Sequence, residues 1–223
     1  MDQSKNVGQP QPFRFVTASY LTQISPHKAR RLSELPSALE RSSDASIFYH
    51  TFQSLGRYHF LTEGFSNDFA QWVLAACNCA ELAEHLSALD IRGYLSLPEL
   101  RTDLQRIVAA YCKVQPERAT QEAFEPFYFC ESVEVSAPLG GEASTLEEFR
   151  DGLERLSHAS FHYHFIASRL RLQLRTNDFS LWLAGTLGLE ALALRVSRID
   201  IYTDTLEGAK ARMLVLVDQE LGR

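Results

Sequence analysis

Positive charge is in short supply in this sequence: 22 Lys and Arg stand against 28 Asp and Glu, a formal charge of −6 over 223 residues. An acidic surface repels a phosphate backbone, so nucleic acid is not an expected partner without a local basic patch. Long apolar runs are missing too. None approaches the roughly 20 residues needed to cross a bilayer, and Met1-Asp2-Gln3-Ser4-Lys5-Asn6 is polar, without a signal-peptide core. The expectation is a cytoplasmic protein with no membrane partner. Cysteine is sparse: Cys77, Cys79, Cys112 and Cys130 form no C-x-x-C pair. Motifs for cofactors and catalysis are also absent. There is no G-x-G-x-x-G or Walker-type loop, no H-E-x-x-H and no G-x-S-x-G, so no cofactor is expected.

What is present is repetition. Pro12-Phe13-Arg14-Phe15 returns as Pro126-Phe127-Tyr128-Phe129, and Ala45-Ser46-Ile47-Phe48-Tyr49-His50 returns as Ala159-Ser160-Phe161-His162-Tyr163-His164. Asn67-Asp68-Phe69-Ala70-Gln71-Trp72 returns as Asn177-Asp178-Phe179-Ser180-Leu181-Trp182. Residues 13–50 align with 127–164 without a gap, and 67–91 align with 177–201. The extra length of copy one falls between His50 and Asn67, where a loop absorbs it most easily. A period of this size signals duplicated units. The reading is a tail over 1–11, copy one over 12–114, a linker over 115–125 and copy two over 126–223. Comparison between copies then filters the candidates. Cys77 and Cys79 align with Leu187 and Leu189, which indicates apolar packing rather than a thiolate site. The basic run His27-Lys28-Ala29-Arg30-Arg31 aligns with Gly141-Glu142-Ala143-Ser144-Thr145 and reads as a solvated turn.

Each copy opens on alternation of period two, with Phe13, Phe15 and Thr17 on one face and Phe127, Phe129, Glu131, Val133 and Val135 on the other copy's equivalent. One strand cannot form a sheet alone, so these strands pair with each other or add to a small sheet, across a pseudo-twofold axis. The remainder reads as helix. Thr145-Leu146-Glu147-Glu148 has the form of a capping box. A second helix covers about 45–60 and 159–175, and Asn67-Asp68 and Asn177-Asp178 are N-cap signals for a third. A break falls near Cys77-Asn78-Cys79, and last helices cover about 97–111 and 206–221. The expected fold class is mainly α (α+β), with two tandem strand-plus-four-helix units.

The second helix carries the sharpest pattern. Ser46, His50, Ser54 and Arg57 are spaced by 4, 4 and 3, and Ser160, His164, Ser168 and Arg171 repeat them in type and spacing. Regular α-helix places such residues on one face. In the structural reading His bonds a neighbouring Ser, Tyr49 and Tyr163 anchor loops, and Arg57 and Arg171 pair with recurring Asp68, Asp90, Asp178 or Asp200. Trp72 and Trp182 then fill cores, with their indole N–H groups satisfied internally. In the functional reading two Arg, two His and two helix N-termini converge on an anion. Candidate ligand-binding residues are therefore Ser46, His50, Ser54, Arg57, Ser160, His164, Ser168, Arg171, Tyr49, Tyr163, Asp68 and Asp178. No metal ligand is assigned, because His162 and His164 are two apart and diverge on a helix. No catalytic residue is assigned either, because a mid-helix Ser has no free N–H groups beside it for an oxyanion hole.

The signatures Ser46-Ile47-Phe48-Tyr49-His50 and Asn67-Asp68-Phe69-Ala70-Gln71-Trp72, followed by Leu89-Asp90-Ile91, resemble those of a bacterial and archaeal family of unknown function. The second copy matches at Ser160, Tyr163, His164, Asn177, Asp178, Phe179, Trp182 and Asp200 and departs at Phe161, His162 and Ser180. The resemblance implies the fold unit and carries no activity. The leading expectation is a non-enzymatic, helical ligand- or partner-binding or regulatory module with a pseudo-dimeric core. Its partner would be an unknown small molecule or protein, and a homo-oligomer is compatible. The alternatives are a metal-dependent hydrolase using the repeated His and Asp, and an interaction scaffold presenting helix faces.

Overall fold

The computed structural model describes residues 11–53, 67–172, 176–200 and 205–223. The chain begins with β1 (Phe13–Ala29), α1 (Leu35–Arg41) and α2 (Asp44–Phe48), which runs into a π-helical turn over Tyr49–Gln53. Then come α3 (Asp68–Ala75), α4 (Ala80–Ser87), α5 (Leu97–Val114) and α6 (Pro116–Thr120). After β2 (Phe127–Ala143) and α7 (Leu146–Arg155), α8 (His158–His162) passes through a second π turn, Tyr163–Ala167, into α9 (Ser168–Arg171). The chain closes with α10 (Asp178–Gly185), α11 (Glu190–Ser197) and α12 (Leu206–Glu220). The fold is mixed α+β and dominated by helix. Among the described residues, β1 and β2 are the strands, and they pair with each other in one antiparallel sheet.

Two local expectations change. The second helix is not regular α: a π turn interrupts it at Tyr49 and again at Tyr163. Each π turn inserts a residue, so a spacing of four no longer marks one face through it. Thr51 Oγ1 donates to the Ile47 carbonyl at 2.7 Å, a side-chain bond of the kind that loosens the backbone ladder. The basic run is also not a turn throughout, because His27, Lys28 and Ala29 end β1, with Lys28 Nζ 5.8 Å from the centre of the Tyr128 ring.

The chain divides into two compact units. The C-terminal unit holds residues 11–19, 136–168, 176–200 and 205–223, and the central unit holds 20–53, 67–135 and 169–172. The start of β1, which precedes the first set of helices in sequence, therefore belongs with α7, α8, α10, α11 and α12. The start of β2 belongs with α1 to α6.

In the C-terminal unit, α7 is fixed at both ends. Thr145 and Glu148 form the expected capping box. At the other end Lys210 Nζ donates to the carbonyls of Glu154 at 2.9 Å and Leu156 at 2.7 Å, two groups that a helix C-terminus leaves unpaired. Phe13 lies on Phe149, Phe179 and Trp182, with ring centres 5.4, 5.4 and 5.6 Å away. Trp182 Nε1 donates to the Gln11 carbonyl at 2.9 Å. In the central unit, α1 packs on α5 through Leu35, Leu39, Leu100 and Leu104, all buried. Phe127 lies on Phe69 and Trp72 at 5.0 and 5.7 Å, and Trp72 Nε1 donates to the Glu125 carbonyl at 2.7 Å. Both tryptophans are thus core residues with satisfied indoles, as their apolar spacing implied.

The break between the third helix and the next has a definite cause. Asn78 stands at φ 51° and Gly188 at φ 69°, the left-handed conformation that ends a helix. The following N–H groups, of Cys79 and Leu189, return to the carbonyls of Val73 and Leu183 at 3.1 and 2.9 Å. Burial and the neighbouring Cys79 push the Cys77 thiol up to about 12, so it stays protonated and unreactive.

Gly152 on α7 faces the Phe15 ring so closely that a Cβ there would overlap it. Alanine is the better helix former by up to about 1 kcal/mol, yet Phe15 is buried and has little room to retreat. Gly152→Ala is expected to lower stability by about 1–3 kcal/mol, read as a lower denaturant midpoint with an unchanged slope. A stabilised variant would mean that Phe15 repacks freely.

Candidate functional site

The recurring histidines occupy matched environments, one in each unit. In the central unit, α2 and its π turn carry His50 into the core with 5 % of its side chain exposed. Asn67 caps α3 by accepting the Ala70 N–H at 2.9 Å and donates Nδ2–H to the Leu86 carbonyl at 3.0 Å. Because Asn67 does the capping, Asp68 at the first helical position is available for another partner. Its Oδ2 lies 2.8 Å from His50 Nδ1. On the other side of the ring, the Cys130 N–H of β2 donates to His50 Nε2 at 2.8 Å. A nitrogen that accepts a backbone N–H carries no proton, so the ring is the neutral tautomer with its proton on Nδ1, directed at Asp68.

The C-terminal unit repeats this. Asn177 accepts the Ser180 N–H at 2.9 Å, Asp178 Oδ2 lies 2.9 Å from His164 Nδ1, and the Val16 N–H of β1 donates to His164 Nε2 at 2.9 Å. Here 4 % of the His164 side chain is exposed. Aromatic rings wall both imidazoles. Phe127 and Phe69 stand 4.7 and 5.5 Å from His50, and Phe13 and Phe179 stand 4.9 and 5.4 Å from His164. Each ring therefore ties three elements together: its own helix, the start of α3 or α10, and a strand edge.

The other candidates fall into different places. Ser46 is buried, while Ser160 Oγ lies 3.0 Å from Ser157 Oγ. Ser168 Oγ donates to the His164 carbonyl and accepts the Asp178 N–H at 3.4 Å. The Tyr49 hydroxyl lies 3.1 Å from Thr22 Oγ1, and the rings of Tyr49 and Tyr163 stand edge-on to His50 and His164, each at 4.9 Å. Arg171 is exposed in the central unit and meets Glu134 at 3.5 Å. Ser54 and Arg57 lie outside the described residues. The imidazoles of His50 and His164 thus pair with Asp68 and Asp178, while Ser168, one turn on from His164, meets that residue at its main-chain carbonyl. Among the described residues, no group of three or more His, Cys, Asp or Glu is arranged to hold a metal ion, and no helix is long and apolar enough to cross a membrane.

His162, two residues before His164, differs from both clamped rings. Burial lowers its pKa from 6.5 to about 4. Sequence reasoning missed a further feature, a groove of about 520 Å³ in the C-terminal unit, lined by Arg195, Arg198 and Arg212 with Ile199, Val215 and Leu216. Its signal was a difference between the two aligned sequence segments, since Arg195 and Arg198 align with His85 and Ala88.

Loss of an imidazole from its clamp leaves a carboxylate and a strand N–H unpaired. His50→Ala and His164→Ala are each expected to cost about 2–4 kcal/mol, and Asp68→Asn less. Hydrogen exchange should speed up locally at Cys130 in the first variant and at Val16 in the second; unchanged exchange would disprove the clamp. The depressed pKa of His162 has its own signature. Between about pH 6.5 and pH 4 the unfolded chain binds a proton there that the folded chain does not, so stability falls as pH falls through that window. Its share is at most about 3 kcal/mol. Comparing melting temperatures of wild type and His162→Gln across that window checks it, and parallel curves would refute the assignment.

Comparison with known proteins supplies relatives without a stated activity. The solved structure of OrfY from Thermoproteus tenax is similar at a TM-score of 0.82 and 28 % identity, covering 96 % of this chain and 98 % of that one. No curated protein matches the chain. Residues 10–218 match the model of a family of unknown function, DUF5752, and the chain belongs to that family.

Proposed function

We propose that this protein is a non-enzymatic binding module, built as a pseudo-dimer from two sequence copies, in which the recurring His–Asp pairs hold the fold together. The observation that carries the reading is the state of Nε2 in both histidines. Its lone pair is taken by a main-chain N–H, from Cys130 in one unit and Val16 in the other. A general base needs that lone pair for the substrate's proton, and a metal needs it for a coordinate bond. Freeing it would strip a strand amide of its partner inside a ring of phenylalanines, at a cost of about 1–3 kcal/mol per group.

An Asp–His pair otherwise resembles two-thirds of a hydrolytic triad, in which the carboxylate orients the ring and Nε2 faces a nucleophile. Here Nε2 faces backbone. The histidines do for the strand edges what a third strand would do: they accept an outward N–H. Binding then falls to surfaces outside the clamps.

The reading is tested with p-nitrophenyl acetate and p-nitrophenyl phosphate, with and without added Zn²⁺, Mn²⁺ or Mg²⁺. The expected result is no saturable turnover that separates wild type from His50→Gln or His164→Gln, while both variants melt lower than wild type. Saturable turnover that disappears in variants still folded by circular dichroism would overturn it.

A further inference from the structure

The clamp of the C-terminal unit is built on a side chain of the one type that ordinarily changes charge between about pH 5 and pH 8. Its two bonds respond to a proton in opposite ways. His164 Nδ1 faces the Asp178 carboxylate at 2.9 Å, and Nε2 accepts the Val16 N–H at 2.9 Å. Only the neutral ring satisfies both. A proton on Nε2 turns that acceptor into a donor, and two N–H groups then point at each other. The bond to Asp178 gains instead, because a carboxylate beside an imidazolium is a charge-assisted pair. One proton therefore breaks the contact with β1 and strengthens the contact with α10.

The groups around the ring leave that response intact. β1 presents Phe13 and the Val16 N–H, and α10 presents Phe179 and Asp178. The ring's own helix presents Tyr163, edge-on at 4.9 Å. Asp178 and Tyr163 are the titratable side chains among these, and of the two types only a carboxylate is ionised at neutral pH. His162, two residues earlier, is held at about 4 by burial and so stays neutral through the upper part of the acid range.

The strand start has a second tether, which does not titrate. Among the described residues, hydrogen bonds from helices reach the 11–19 stretch at two points, the Gln11 carbonyl from Trp182 Nε1 and the Val16 N–H from His164. Loss of the second leaves the first in place, with Phe13 still packed on Phe149 and Phe179.

We propose that the His164 clamp is an acid-released catch: a proton on Nε2 frees the Val16 N–H, while Asp178 keeps the ring on α10 and Trp182 keeps Gln11 on the helices. The proposal rests on the fold-holding role given above to the His–Asp pairs, and it makes one of them conditional on pH.

The test is amide hydrogen exchange on the full chain, written as protection factors so that the pH dependence of exchange itself is divided out. Between pH 7.5 and pH 5.5 protection at Val16 is expected to fall by about tenfold or more, since release coupled to one proton changes by up to about tenfold per pH unit. Leu183, buried in α10 of the same unit, should keep its protection. His164→Gln, which cannot titrate, should make protection at Val16 independent of pH. Asp178→Asn removes the carboxylate that favours the imidazolium and should move the fall to lower pH. Constant protection at Val16 in the wild type overturns the catch, as does a fall that persists in His164→Gln or an equal fall at Leu183. The fold-holding reading is scored separately, by whether His164→Gln melts lower than wild type at pH 7.5.

Discussion

An imidazole held between a carboxylate and a strand amide is the contact on which the rest of each unit depends. In the central unit it joins the π turn after α2, the start of α3 and the edge of β2; in the C-terminal unit it joins the π turn after α8, the start of α10 and the edge of β1. The phenylalanines beside it could pack in many arrangements, since apolar burial is not directional. The hydrogen bonds are directional. They settle which strand residue meets the helix and therefore where Phe13, Phe15, Phe127 and Phe129 enter the cores. Capping by Asn67 and Asn177 is part of the same device, because it leaves Asp68 and Asp178 free to orient the ring.

The π turns fit this account. A histidine on an unbroken α-helix keeps the angular position set by 3.6 residues per turn. Inserting one residue at Tyr49–Gln53 and at Tyr163–Ala167 re-aims the ring without ending the helix. Both irregular turns coincide with a buried histidine that reaches two partners at once. The arrangement also explains why an Asp–His pair recurs beside Ser46 and Ser160 with neither serine bonded to the ring.

The two aligned segments differ as well as agree. Likeness drew attention to His50 and His164, whose bonds turn inward. The aligned segments differ at Arg195 and Arg198, whose counterparts are His85 and Ala88. A charge that one helix pair carries and its counterpart lacks is not demanded by the packing both achieve.

Much of the local structure was legible in the sequence. The Thr145–Glu148 box, the Asn caps, the break at Asn78 and the opening alternation are set by neighbours within a few residues, so short-range rules reach them. The identity of the buried polar residues was legible too, through their recurrence. Their partners were not. A spacing of four in an ideal helix pairs His50 with Ser46 and Ser54, and only the π turn, with the Cys130 N–H 80 residues away, redirects it to Asp68 and β2. By itself the sequence determined the helices, their caps and the residues that recur. Tertiary structure alone decided which strand start joins which helices, and that both nitrogens of each histidine are engaged. The reason is physical: periodicity records which face of an element is buried, while a hydrogen bond between distant segments depends on where folding brings them.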